Sequence, residues 1–255
     1  MSDNPFGLQG YTPSSYGDAF ADVYDDWYRT LGDHDFVDAL ARHLPAVAAD
    51  VLELGVGTGR LLERLVAARP GIADRLTGID TSAAMIERAR TVEALGRARL
   101  EIGDFSDSLP GDAYDLVFCG YNTFFNLADA DAMTRAMVLV RSVLRAGGRL
   151  VIDAFVPGTD TGGDRVSIRS ITTDSVVLNV SSHDEKEQRI TGQFVELSNG
   201  APVRLRPWAV RYVWPLELDA IAERGGLRLL ERHADGSRGA FTPESRRHVS
   251  VYGPA

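Results

Sequence analysis

The stretch Asp50-Val51-Leu52-Glu53-Leu54-Gly55-Val56-Gly57-Thr58-Gly59-Arg60 constrains the fold of this chain more than any other. A short apolar strand runs into glycines at alternate positions, and a helical pattern follows over Leu61–Ala68. Glycine accepts positive φ and lets another group press against bare backbone. The helix that follows offers unpaired N–H groups. In open α/β sheets this strand end is where ligands lie.

Downstream the same alternation repeats. Apolar strand patterns at Leu76–Ile79, Ala98–Ile102, Tyr114–Phe118 and Arg149–Phe155 are interleaved with helical patterns at Ser82–Leu95 and Ala130–Leu144. Short apolar strands separated by helices predict a parallel sheet covered on both faces. Upstream, the 3- and 4-residue spacing of Phe20, Val23, Tyr24 and Trp27 predicts one helix from Tyr16 to Thr30. A second runs from Asp35 to Leu44. After Phe155 the texture changes. A turn-rich link over Pro157–Asp164 leads into four β-rich runs, Arg165–Thr173, Ser175–Ser182, Arg189–Leu197 and Val203–Trp214, read as an inserted antiparallel sheet. Alternation puts Arg204, Arg206 and Trp208 on one face of it. Aromatics and arginines together suit a planar or anionic small molecule; a solvated edge or a dimer interface are the other uses of such a sheet. The α/β pattern then resumes with a helix from Pro215 to Arg224 and strands at Leu227–His233 and His248–Tyr252.

The expected organisation is an N-terminal arm with cap helices over 1–45, an α/β domain over 46–156 and 215–255, and the inserted sheet over 157–214, serving as a lid or a dimer element. The 255 residues and 44% hydrophobic content can support such a core. The formal charge of −9 opposes a polyanionic partner, so no nucleic acid is expected. Cys119 is the only cysteine. No secretory leader is evident in Met1–Gly10, and no apolar run approaches the ~20 residues of a membrane helix. The expectation is a cytoplasmic protein without membrane contact.

Two acids sit at the ends of successive strands. Asp80, after Gly78-Ile79, can accept both hydroxyls of a ribose, or can cap the helix that starts near Ser82. Asp104, in Gly103-Asp104-Phe105, can accept from an adenine amino group with Phe105 near the ring, or can serve as a polar turn residue. Together with the glycine turn they point to a nucleoside-bearing cofactor. A nicotinamide dinucleotide enzyme is the alternative. Its G-x-G-x-x-G fingerprint needs glycine at the sixth position, where this chain has Arg60. No Tyr-x-x-x-Lys pair is present; the only lysine is Lys186.

In combination these residues resemble the class I S-adenosylmethionine-dependent methyltransferases. Val51–Gly59 is similar to the family's first motif, and Asp80-Thr81-Ser82-Ala83-Ala84-Met85 to its second. Gly103-Asp104-Phe105 is similar to its adenine loop, and Tyr114–Phe118 and Leu144–Leu150 to its fourth and fifth strand regions. The resemblance implies a Rossmann-like doubly wound sheet of seven strands, the last antiparallel, and S-adenosylmethionine as cofactor. It implies cofactor contacts for Glu53, Gly55, Gly57, Gly59, Asp80, Thr81, Met85, Gly103, Asp104, Phe105 and Cys119. By itself, Met85 on a first helical turn reads equally as core.

In this fold the acceptor sits beyond the fourth strand, at Cys119-Gly120-Tyr121-Asn122-Thr123-Phe124-Phe125-Asn126. The stretch lacks the [DN]-P-P-[YF] signature of enzymes acting on nucleic-acid amino groups. The layout is similar to sugar and glycine-type N-methyltransferases, in which a helix covers the cofactor. That comparison assigns Tyr24 to the cofactor, with core packing beside Phe20 and Trp27 as its other reading. It makes Tyr16, Asn122 and Asn126 the candidate catalytic residues. In the sugar enzymes a histidine stands where Asn126 falls, and asparagine cannot act as a base. His183 and His248 are secondary candidates. No metal is expected. The predicted function is methyl transfer to nitrogen or oxygen of a small molecule, in a possible homodimer. A binding or regulatory subunit of the same fold is the non-enzymatic alternative.

Overall fold

The computed structural model describes residues 5–30, 32–111, 113–158 and 163–255. The first four residues of the arm, and residues 159–162 of the predicted link, lie outside the described residues. In chain order the elements are α1 (Ser15–Phe20), α2 (Tyr24–Tyr28), α3 (His34–Arg42), β1 (Asp50–Leu54), α4 (Arg60–Ala68), β2 (Arg75–Asp80), α5 (Ala83–Arg90), β3 (Arg99–Ile102), β4 (Tyr114–Cys119), α6 (Ala130–Val143), β5 (Leu144–Phe155), β6 (Gly163–Ile171), β7 (Ser175–Asp184), β8 (Arg189–Ser198), β9 (Arg204–Arg211), α7 (Pro215–Arg224), β10 (Leu227–His233) and β11 (Arg247–Pro254). Short 3-10 turns cover Glu93–Leu95 and Thr123–Asn126.

The main sheet has the order β10-β11-β5-β4-β1-β2-β3. The strands from β1 to β5 pair parallel, and β11 runs antiparallel between β5 and β10. This is the predicted seven-stranded sheet with its last strand reversed. Its apolar strands are buried because helices cover both faces. Leu52, Leu54, Val117 and Ile152 join one core with Met133 and Met137 of α6 and Leu218 of α7. Val51, Leu116, Phe118 and Val151 join the other with Phe36 and Leu40 of α3 and Leu62 and Leu65 of α4. Each fully buried Leu, Val or Phe contributes about 1.5–3 kcal/mol, so these two layers hold the strand ends in register.

The second sheet is an antiparallel meander, β6-β7-β8-β9. One of its faces carries Phe194, Arg206 and Trp208 against the N-terminal helices. Arg206 binds Asp22 (2.5 Å) and Glu196 (3.0 Å), while Arg204 also reaches Asp22 (2.8 Å). The predicted sharing of a face by Arg204, Arg206 and Trp208 follows from this pairing. The opposite face leaves Val166, Ile168 and Leu205 exposed.

Several boundaries differ from the periodicity reading; β5, for example, begins at Leu144 rather than Arg149. The helix expected over Tyr16–Thr30 is two short helices, broken at residues 21–23. The break lets Phe20 and Trp27 meet edge to face (5.8 Å) while both contact Phe194 of β8. The helix from Ser82 ends at Arg90, before the short turn over Glu93–Leu95. Trp214 leaves the sheet to precede α7, where Glu217 accepts from its backbone N–H (2.8 Å). No helix among the described residues is long and apolar enough to cross a membrane.

Candidate active site

The glycines after β1 are each required for a different reason. All have positive φ: Gly55 +69°, Gly57 +54° and Gly59 +84°. A Cβ on Gly55 would lie 2.2 Å from Thr123 Cγ2, so that glycine admits the loop after β4. A Cβ on Gly59 would lie 2.5 Å from Leu95 Cδ1, so that glycine lets α4 close on its neighbour. A Cβ on Gly57 would meet nothing within 4 Å, because this residue borders open space.

Asp80 faces the same space from the end of β2. Its Oδ2 accepts from Gly57 N (2.9 Å) and its Oδ1 from Ser82 N (2.9 Å). The capping role belongs to Ser82, whose Oγ accepts from Met85 N (3.2 Å). The carboxylate is therefore fixed by two backbone donors, with lone pairs left on both oxygens. Burial raises its pKa above the usual aspartate value, and the Ser82 and Gly57 N–H groups oppose that rise. Asp104 accepts from Ser106 N through Oδ1 (2.7 Å), which makes it both a turn residue and a cavity wall.

These residues line a concave cleft that is partly open to solvent. Of the predicted residues, Tyr16, Tyr24, Gly55, Gly57, Asp80, Thr81, Met85, Asp104, Phe105 and Asn126 line it. Pro13, Gly17, Thr123 and Leu127, which sequence reasoning missed, line it too. The signal for Thr123 was Gly55, whose missing side chain leaves it room.

The remaining predicted residues do not line this cleft. Glu53 points into the α3/α4 layer, 3% exposed, because alternation along β1 turns it away from the cavity. Burial pushes its carboxyl well above the usual range, opposed by Arg60. Gly59 serves helix packing. Gly103 donates its N–H to Asp80 O (2.9 Å) and lies against Ile79, which supports β2 without lining the cavity. Cys119 is fully enclosed in the core, and burial pushes its thiol pKa up. Asn122 lines a neighbouring chamber, with its Oδ1 engaged by Phe155 N (2.6 Å). His248 is buried on β11 and His183 bonds Tyr212 Oη (2.7 Å); neither lines the cavity or the chamber.

The N-terminal segment closes one side. Thr81 Oγ1 donates to Pro13 O (2.9 Å), Ser82 Oγ to Asp18 Oδ1 (2.6 Å), and Thr58 Oγ1 to Asp25 Oδ1 (2.6 Å). A Cβ on Gly17 would lie 2.4 Å from Ser82 Cβ, so α1 sits directly on the start of α5. Phe20 and Met85 form a small core there, with Tyr16, Tyr24 and Trp208 packed on it. Tyr24 thus packs on that core and also lines the cleft.

A second chamber opens beside the first. It is lined by Tyr16, Tyr24, Tyr28, Tyr121, Phe194 and Trp208, with Arg60, Asn122, Thr123, Asn126 and Val210. The two spaces share Tyr16, Tyr24, Thr123 and Asn126. Burial pushes the Tyr16 hydroxyl well above the ordinary tyrosine value and that of Tyr24 to about 12, despite Arg60 beside the latter. The chamber floor is strained. Tyr121 and Asn122 both have positive φ (+51° and +67°), a conformation that costs a non-glycine residue about 1–2 kcal/mol. Bonds from Tyr121 N to Asp153 Oδ2 (3.2 Å) and Asn122 N to Asp153 O (3.0 Å) hold it.

The fold places a pocket at the carboxyl ends of β1, β2 and β3, with a second chamber against it. Comparison with known proteins agrees. Residues 51–148 match the family described as "Methyltransferase domain". An uncharacterized methyltransferase of Anoxybacillus flavithermus is 33% identical over 56% of this chain and 61% of its own length. The 2,7-dihydroxy-5-methyl-1-naphthoate 7-O-methyltransferase of Streptomyces carzinostaticus is 28% identical over 63% of this chain and 51% of its own. The chain thus spans less than two thirds of these curated relatives. The solved CcbJ methyltransferase of Streptomyces caelestis is 34% identical, with a TM-score of 0.85, covering 96% of this chain and 100% of that one. The chain belongs to the class I S-adenosylmethionine-dependent methyltransferases, which sets aside the nicotinamide alternative. The first cavity fits the family's cofactor: Gly57 leaves it open, and Asp80 offers a prepositioned acceptor for a diol.

Proposed function

We propose that the protein transfers the methyl group of S-adenosylmethionine to an oxygen or nitrogen atom of a small-molecule acceptor held in the second chamber. The observation that carries this reading is the shared wall: Tyr16, Tyr24, Thr123 and Asn126 border both spaces. Those four residues would border both a cofactor in the first space and an acceptor in the second. The cofactor supplies an already electrophilic sulfonium methyl. An acceptor lone pair forms the new bond to the methyl carbon as the S–CH₃ electron pair returns to sulfur. A protonated nucleophile passes its proton to solvent.

What the protein contributes is alignment, which is worth up to about 7–11 kcal/mol in well-oriented systems. Asp80 holds the ribose hydroxyls and Asp104 the adenine amino group, with Met85 and Phe105 against the ring. Tyr16 and Asn126 orient the acceptor. Residues 157–214 act with α1 and α2 as the lid, supported by Phe194, Trp208 and Val210 in the chamber wall. The outer face of that sheet, with Val166, Ile168 and Leu205 exposed, is the surface a homodimer would use, and sedimentation tests it. The single thiol of Cys119 suits a cytoplasmic setting.

The test is incubation with methyl-labelled S-adenosylmethionine and a fractionated metabolite extract. Label in a small molecule that gains one CH₂ unit, together with released S-adenosylhomocysteine, is expected. Binding of S-adenosylhomocysteine without turnover on any fraction would favour the regulatory-subunit reading.

A further inference from the structure

Among the described residues lining the second chamber, Arg60 carries the only charged side chain; no carboxylate and no imidazole lines it. We propose that the acceptor presents an anionic oxygen group, a carboxylate or an acidic phenol oxygen on an aromatic-sized body, and that Arg60 selects it. This rests on the two-cavity reading above.

Asp33 is fully buried and bonds Arg60, Arg64 (2.5 Å) and the Tyr121 hydroxyl. It is thus shared between two guanidiniums, and the buried Glu53 carboxyl, held toward its neutral form by desolvation, is another acid that feels Arg60. Beyond Tyr121, Arg247 is held by Asp153 (2.6 Å) and Asp35 (3.1 Å), a separate group on the far side of the ring. Arg60 is also short of partners: its Nε–H is enclosed without an acceptor. A guanidinium carries five N–H donors, so capacity remains for a ligand oxygen.

An ammonium ligand is the obvious competitor in an aromatic chamber, because ring faces attract cations. Here the protein's own arginines already lie against three of the chamber's six aromatic rings. Arg60 and Arg247 lie 5.1 and 5.8 Å from the Tyr121 ring centre, and Arg169 lies 5.2 and 5.4 Å from those of Tyr28 and Phe194. Among the described lining residues a cationic acceptor would meet the Arg60 guanidinium and no carboxylate. An oxyanion meets compensating charge, and it needs no base to ionise it. That accords with the tyrosines, whose hydroxyls burial pushes up.

The test uses the full chain saturated with S-adenosylhomocysteine and three probes of one shape: 1-naphthoate, 1-naphthalenemethanol and 1-naphthylmethylammonium. Calorimetry reads their affinities. A charge-assisted hydrogen bond implies that 1-naphthoate binds about tenfold or more tighter than the neutral probe, with the ammonium weakest. Arg60→Gln should cost 1-naphthoate about tenfold, and Arg60→Lys should recover part of the loss. S-adenosylhomocysteine affinity of each variant reports folding, since Arg60 lies outside the first cavity's wall. Tightest binding by the ammonium, equal or absent binding of all three, or an unaffected Arg60→Gln variant overturns the proposal. Failure of the wild-type chain to bind S-adenosylhomocysteine would instead defeat the underlying functional reading.

Discussion

Replacing Asp80 by alanine tests the cofactor assignment most directly. The carboxylate is held by Gly57 N–H and Ser82 N–H, both at 2.9 Å, before any ligand arrives. A ribose diol donating to both oxygens would add two charge-assisted bonds of about 1.5–3 kcal/mol each. Their joint loss is about 3–6 kcal/mol, a factor of about 10²–10⁴ in affinity. Because the acid is prepositioned, little of that gain is spent on ordering it. Removing it also leaves two N–H groups without their acceptor. That costs about 1–3 kcal/mol for each group, a Tm drop of about 4–12 °C for the two at about 2 °C per kcal/mol in a domain this size. Isothermal titration with S-adenosylhomocysteine reads the first effect and a thermal melt the second. Asp80→Asn keeps the volume but turns an NH₂ toward one of the donors, so it should lose affinity nearly as far as alanine. Burial raises the Asp80 pKa, so cofactor binding should weaken on acidification from above the ordinary aspartate range. Affinity of Asp80→Ala within about threefold of wild type would refute the ribose role, since one charge-assisted bond alone exceeds that difference.

The other predictions concern packing and acid stability. Gly17→Ala places a methyl 2.4 Å from Ser82 Cβ, an atom that cannot swing away, so α1 must lift from α5. S-adenosylhomocysteine affinity should fall by about tenfold, in line with the usual 1–3 kcal/mol of overpacking; unchanged affinity would mean α1 does not shape the cavity. Gly59→Ala meets both φ +84° and Leu95 Cδ1 at 2.5 Å, so Tm should drop while the folded fraction still binds S-adenosylhomocysteine one to one. Lost binding at full folding would return Gly59 to the cofactor's contacts. His248 is buried, and desolvation lowers its pKa to about 3. The unfolded chain takes up that proton near pH ~6.5. The contribution is therefore complete above that pH and lost as pH falls toward 3. His248→Gln should flatten the acid limb of a Tm-against-pH curve, and an unchanged limb would exclude His248 as its source.

The α/β frame was legible because both of its signals are local. Val51–Leu54 needs only apolar residues and a glycine turn, and Asp80 needs only to end the next strand. Those patterns are periodic, and they persist whatever packs on them. Residues set by contacts between distant segments were not legible. Gly59 looks like Gly55 and Gly57 until Leu95 arrives beside it from the 3-10 turn that follows α5. The Tyr16–Thr30 periodicity is helical throughout, yet Phe20 and Trp27 must both reach Phe194, and that contact breaks the helix. In Cys119-Gly120-Tyr121-Asn122 the glycine is the obvious turn residue. The positive φ falls instead on Tyr121 and Asn122, because Asp153 fixes their backbone. Asp33 reads as an ordinary polar residue near a helix start, and only the fold buries it among Arg60, Arg64 and Tyr121.

These tertiary contacts give the site its logic. The residues that anchor the cap stand next to those that would hold the cofactor: Thr58 beside Gly57, and Thr81 and Ser82 beside Asp80. Each of the three donates a hydroxyl to the N-terminal segment, and Ser82 N also donates to the Asp80 carboxylate. A ligand between Asp80 and Tyr16 therefore touches both the sheet edge and the segment pinned to it. Any ligand that prefers the closed arrangement must stabilise the closure by the same free energy with which closure tightens the ligand. Closure also completes the wall that separates and joins the two chambers, since Tyr16 and Tyr24 come from the cap while Thr123 and Asn126 come from the loop after β4. On the proposed reading, cofactor and acceptor would be aligned when α1 and α2 are seated, which would place the control of alignment in the N-terminal segment.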